Sequence, residues 1–159
     1  MRRVSREAAL ATIGEQRACG MCAMTRDPLA VDANAHGVTV VAPYAARPWH
    51  LVVVLRAHAE SVASVPVDAW LGLQTLAHRA AGALERLRAP RRVYVAALGS
   101  AVPRAMSFPH VHVHVVPLED GGEEDRPSAV FTWRTGVWVY EPEERAEIAR
   151  RLRAALGGP

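Results

Sequence analysis

The chain contains no lysine: all 19 of its cationic side chains are arginine. A GC-rich coding preference accounts for that bias, and the functional counterpart is that guanidinium groups grip phosphate through paired hydrogen bonds. The arginines are scattered rather than blocked and leave a formal charge of only +3, which argues against a basic tail that coats nucleic acid. There are two cysteines, Cys19 and Cys22, too few for the disulfide framework of a small secreted protein. Apolar runs never approach the ~20 residues that span a bilayer. Early arginines at the N-terminus are followed by Glu7, Glu15 and Gln16 before any signal-peptide core develops. These absences lead to the expectation of a soluble, cytoplasmic protein with neither a membrane nor a nucleic-acid polymer as partner.

What is present is an ordinary globular composition, 50% hydrophobic and 22% charged over 159 residues. That length suits one domain, residues 1–159, with a core over 18–117 and a C-terminal hairpin and helix over 128–156. Residues 4–17 carry Val4, Ala8, Leu10 and Ile13 at loosely helical spacing, and 19–22 read as a tight turn. Residues 28–32 and 37–42 form an expected hairpin about the turn-forming Asn34 to Gly37, since Val38, Val40 and Val41 are β-branched. The nearly unbroken apolar run within 49–55 suits a strand covered on both faces. A long helix follows, with Ser64 as N-cap and Pro66 near its first position; Trp70, Leu73, Leu76, Ala77, Ala80, Leu84 and Leu87 make one buried stripe, and Pro90 ends it. Strands are expected at 92–98 and 108–117, then a solvated acidic loop at 119–127. An aromatic hairpin, 130–133 with 137–140, precedes a terminal helix from near Pro142 that buries Ile148, Leu152 and Leu156. Helices set mainly against one side of an antiparallel sheet define an α+β fold.

The chemistry concentrates in His110, His112 and His114, which alternate with Val111, Val113 and Val115. On a strand this period of two sends the imidazoles to one face and the valines to the other. Cys19 and Cys22 alone could be a redox pair, half a metal site, or buried thiols.

This run, closed by Val116 and Pro117, resembles the signature of the histidine triad (HIT) superfamily of nucleotide hydrolases and transferases. The resemblance extends over most of residues 18–117 and takes in His50, His58 and the Cys19–Cys22 knuckle. It implies that His112 is the nucleophile, attacking an α-phosphorus to form a nucleotidyl-histidine; a backbone acceptor on or beside the strand would fix its tautomer. His114 would contact phosphate oxygens, His50 would support the same pocket, and Ser107 would be left to donate to phosphate or the leaving atom. One zinc-binding branch implies a structural site of Cys19, Cys22, His58 and His110, with two thiolates and two imidazoles completing a tetrahedron. A homodimer is also implied. Residues 41–50 are similar to the galactose-1-phosphate uridylyltransferase branch, which however carries a glutamine where this chain has His114. Met106 stands where many members have a glutamine, and Ala42 where a ribose-binding acid or amide is usual, leaving Asn34 or Asp32 as candidate ribose contacts. Trp133, Trp138 and Tyr140 are candidate cover for a base.

Overall fold

The computed structural model describes residues 1–14, 18–98 and 108–157. Its centre is a five-stranded antiparallel sheet built from β2 (Asp32–Ala33), β3 (Gly37–Val41), β4 (Leu51–Leu55), β5 (Arg92–Ala96) and β6 (His112–Leu118), in the spatial order β2-β3-β4-β6-β5. The β2–β3 hairpin turns on Asn34, whose side-chain oxygen accepts from the amides of His36 and Gly37 at 2.9 and 2.8 Å, the local bonding that makes Asn a turn residue. Of the expected 28–32 strand only Asp32 lies in β2, which continues to Ala33. Pro28 has no amide to donate to a ladder.

The long helix α3 (Val67–Arg88) buries Leu73, Leu76, Ala77, Ala80 and Leu84 as the stripe requires. Pro66 is itself the N-cap, and Ser64 instead ends a 3-10 turn capped by Ser61. Ala89 closes the helix in a left-handed conformation at φ 45°, and Pro90 prevents its resumption. The α3 stripe joins Val111, Val113 and Val115 in the main core. Each fully buried leucine in it stabilises the fold by about 1.5–3 kcal/mol.

The histidine face of β6 is covered differently. Val116 and Leu118 enter a second, smaller core with Ala46 and Val130, bordered by Tyr94, Phe131 and Trp133. Val130 and Phe131 belong to α4 (Pro127–Phe131), a short helix, so residues 130–133 are not the strand that their aromatic and β-branched content suggests. Pro127 at the first position starts this helix. The partner of β7 (Val137–Val139) is instead β1 (Arg2–Val4), at the far end of the chain. Gly136, at φ +83°, lets this ribbon close: a Cβ there would meet the Val4 carbonyl oxygen at 2.4 Å.

Helix α1 (Arg6–Gly14) follows β1, and α2 (Gly20–Met24) replaces the expected tight turn at 19–22. The chain ends in α5 (Pro142–Gly157), which packs on α3 and buries Ile148 and Leu152, with Leu156 half-buried. Among the described residues no helix is long and apolar enough to cross a membrane.

Candidate active site and metal cluster

Strand β6 pairs with β4 so that Val54 lies opposite His112 and Val52 opposite His114. The two imidazoles therefore stand on one face, as the alternation predicts. His50, just before β4, joins them: its Nε2 is 3.0 Å from His114 Nδ1, and His114 Nε2 is 3.1 Å from His112 Nε2.

The partners of this row fix every proton in it. At one end the Ala46 amide donates to His50 Nδ1 at 3.1 Å, so the proton of a neutral His50 ring is on Nε2 and is given to His114 Nδ1. His114 then carries its own proton on Nε2 and gives it to His112 Nε2. At the other end His112 Nδ1 lies 2.7 Å from the His110 carbonyl oxygen, an acceptor only, so His112 must hold its proton on Nδ1 and its lone pair on Nε2. Both ends yield the same assignment.

That assignment requires neutral rings, and the surroundings keep them neutral. Burial, with the nearby His112 ring adding, pushes the His50 pKa down to about 3. Burial, followed by His50 and His112, holds His114 well below its ordinary value. For His112 burial lowers the pKa and outweighs the hydrogen bond to His110, which raises it. A neutral imidazole Nε2 whose lone pair only accepts a hydrogen bond, here from His114, is a competent nucleophile once that bond yields.

Phe108 stands edge-on to His112, with ring centroids 6.4 Å apart. It also lines a mainly apolar cavity of about 700 Å³ with Met24, Pro43, Tyr44, Tyr140 and Arg145. On the other side Phe131 lies 5.6 Å from the His114 ring. Tyr140 thus reaches the cavity, whereas Trp133 packs on Tyr44 and Trp138 under Arg3. Asn34 and Asp32 do not reach the site. They sit on and beside β2, separated from β6 by β3 and β4, and are committed to the Gly72 carbonyl, their own turn and Arg79. Ser107 and Met106 lie outside the described residues.

His110 faces a second cluster. Its ring, with Cys19, Cys22 and His58, brings four ligand atoms within 4.8 Å of one another. Cys19 Sγ to His110 Nδ1 is 3.5 Å, and Cys22 Sγ lies 3.4 Å from Nδ1 of both His58 and His110. Around a tetrahedral zinc with Zn–S near 2.3 Å and Zn–N near 2.05 Å, an S···N edge measures about 3.6 Å, so the donor spacing fits that ion. Outer partners also fit: His110 Nε2 donates to the Leu55 carbonyl at 2.7 Å, and His58 Nε2 lies 3.6 Å from a Glu60 oxygen. Such contacts turn the Nδ1 lone pairs toward a metal. Burial, reinforced by Cys19, raises the Cys22 thiol pKa, an effect that a divalent cation between the sulfurs reverses.

Sequence reasoning missed Arg47 and Asp125. The 119–127 stretch is not simply solvated: Asp125 is 8% exposed and accepts from Arg47 Nε at 2.9 Å. Burial acts to raise its carboxyl pKa, but the Arg47 and Gly121 hydrogen bonds prevail and hold it below the ordinary value. One acid among five in a seven-residue run carries no sequence signal of its own.

Comparison with known proteins identifies the family and the fold. The family model described as HIT domain matches residues 31–121, more than half of the chain. A zinc-bound histidine triad family protein from Mycobacterium smegmatis is similar in structure, with a TM-score of 0.66 at 21% identity, covering 87% of this chain and 93% of that one. A Plasmodium falciparum diadenosine triphosphate hydrolase aligns with a TM-score of 0.64 at 12% identity, covering 80% and 76%. A uridylyltransferase aligns over 94% of this chain and 48% of its own, with a TM-score of 0.64 at 16% identity. No curated protein sequence matches significantly. The matched span contains His50, His58 and the three alternating histidines, and the chain belongs to the HIT domain family.

Proposed function

We propose that this protein is a nucleotide hydrolase or nucleotidyl transferase working through a covalent intermediate on His112. The observation that carries the reading is the row of contacts from the Ala46 amide through His50 and His114 to His112 and the His110 carbonyl, from which neutral rings leave the lone pair of His112 on Nε2. That lone pair attacks the α-phosphorus of a phosphoanhydride, phosphoramidate or sugar nucleotide. A P–N bond forms, and the bond from phosphorus to the leaving atom breaks with its electron pair. His114 Nε2–H, freed from His112 by the attack, turns to a phosphate oxygen or the leaving atom. His50 supports it from behind at 3.0 Å. Water or another acceptor then cleaves the P–N bond and regenerates His112.

The apolar cavity beside Phe108 suits the base, and Ser107 is assigned to the phosphate. Zinc held by Cys19, Cys22, His58 and His110 would act as a structural cross-link, since four protein ligands close its coordination. The protein works in the cytoplasm, where both thiols stay reduced. It works as a homodimer, for which the outer edge of β5 and the exposed Val95 and Leu98 beside it provide the surface. Sedimentation should then give a mass near twice the 17.2 kDa chain; a monomer at micromolar concentration would count against it.

A second reading, a nucleotide-binding regulator with weak turnover, is favoured by Ala42 and Met106, which replace polar residues usual in the family. One experiment separates the two. Wild-type protein incubated with a nucleoside phosphoramidate and quenched in mild base should carry the nucleotidyl mass on the peptide containing His112. His112→Ala should lose turnover by at least about 10³-fold while keeping much of its binding. Wild-type binding without turnover would select the regulator, and near-native kcat in His112→Ala would refute the mechanism.

A further inference from the structure

Fixing the histidine row requires the Ala46 amide to point at His50 Nδ1, and Ala46 is gripped from both sides. The carbonyl of the preceding peptide, Ala45, accepts from Trp138 N–H at 2.8 Å. The carbonyl of Ala46 itself accepts from Arg47 Nη1 at 2.7 Å. The same guanidinium donates through Nε to Asp125 at 2.9 Å and through Nη2 to the Glu124 carbonyl. Asp125 is anchored in turn by the Gly121 amide at 2.8 Å, and its own carbonyl accepts from Tyr94 on β5 at 3.0 Å. The Arg47 and Asp125 side chains are only 12% and 10% exposed. An ion pair so placed is costly to desolvate and gives little assured stability over apolar residues, so specificity of geometry is a reason to retain it.

We infer that Arg47 and Asp125 are positioning residues that select the Nε2–H tautomer of His50 by clamping the Ala46 backbone, and so set the proton direction of the row. The inference deepens the proposed function and rests on it for its effect on rate. The chain of contacts is continuous: Asp125 holds Arg47, Arg47 holds the Ala46 carbonyl, the Ala46 amide faces His50, and His50 donates to His114. A neutral imidazole has two tautomers, and the bond made by one nitrogen decides which is present. Once the Ala46 amide drifts away, His50 can carry its proton on Nδ1. It then offers His114 a lone pair instead of a proton, and His114 can turn its own proton inward, away from the reacting phosphate.

The test is a double-mutant cycle of Arg47→Met, Asp125→Ala and the two together. Each single change leaves a buried charge alone and can unfold the chain; the double variant removes both charges. Long-range proton–nitrogen NMR of ring-labelled protein reads the tautomer directly. Wild type should show His50 protonated at Nε2 only, and the double variant a mixture. With a phosphoramidate substrate, kcat should fall about 10- to 100-fold while KM changes less than about threefold, the pattern expected when a reacting group is displaced by a fraction of an ångström. Where the singles fold, their losses should not add, because they act on one chain of contacts. A folded double variant whose His50 signal keeps the wild-type tautomer overturns the inference, whatever its rate. Failure of the nucleophile reading looks different: His112→Ala stays active while His50 still loses its single tautomer in the double variant.

Discussion

Three histidines of the site, His50, His110 and His112, owe their behaviour to a backbone partner as much as to their own rings. Carbonyls of His110 and Leu55 and the amide of Ala46 decide which nitrogen of His112, His110 and His50 carries the proton. That His112 and His114 share a face was legible from the alternation, and the need for a backbone acceptor at His112 followed from its chemistry; His110, expected on the same face, lies just before β6 and turns to the cysteines instead. The identity of the outer partners was not legible, because it depends on β4 lying beside β6. At the metal cluster, Cys22 is the residue whose sulfur meets both His58 and His110. Cys22→Ser should abolish stoichiometric zinc, measured by elemental analysis. Because structural metal binding is coupled to folding, Tm should fall by roughly 5–15 °C, from about 2–4 °C per kcal/mol at this chain length. Full metal content in the variant, or none in wild type, would remove zinc from the description.

Strands β3 and β4 and helices α3 and α5 were readable as elements because each has a clear pattern and stop; β2 is only two residues long where 28–32 was expected, and β6 begins at His112, later than the expected 108. The strand expected at 130–133 is instead the end of α4 and the turn after it. Phe131 and Trp133 favour strands by composition, but Pro127 opens a helix and the small core around Val116 and Leu118 rewards the helical packing of Val130. Strand β1 could not be foreseen either. Three residues offer no period, and its partner β7 is more than 130 positions away. The ribbon depends on Gly136, where any side chain meets the Val4 carbonyl. Gly136→Ala should therefore destabilise the protein by about 1–3 kcal/mol through left-handed strain and the displaced strand. It should also expose α1 to limited proteolysis while β2 to β6 stay protected. An unchanged melting curve and cleavage pattern would show that the ribbon contributes little.

At the scale of the molecule, the buried imidazoles make stability depend on pH. His50 is depressed from 6.5 to about 3, so between those values the unfolded chain binds a proton that the folded chain refuses. Its contribution is complete above about pH 6.5 and is lost as the pH falls toward 3, at up to about 1.4 kcal/mol per pH unit. His114, also lowered, adds in the same direction. Denaturant midpoints should be flat from pH 8 to about 6.5 and decline below. His50→Gln should flatten the decline, and Cys22→Ser should retain it, which separates the imidazoles from acid release of metal. A decline of equal slope in His50→Gln would move the effect elsewhere.

His110 belongs to both halves of the site. Its ring faces the cysteines, while its carbonyl receives the Nδ1 proton of His112. Under the proposed function one peptide thus joins the metal cross-link to the attacking group, and the two cannot be adjusted independently. By thermodynamic reciprocity, whatever free energy a bound metal lends to the alignment of His112 returns in equal measure as a change in metal affinity when His112 binds its ligand. The fold places the dependency in a single residue, so substitutions that loosen the cysteine knuckle are felt as a change in poise at a nitrogen they never touch.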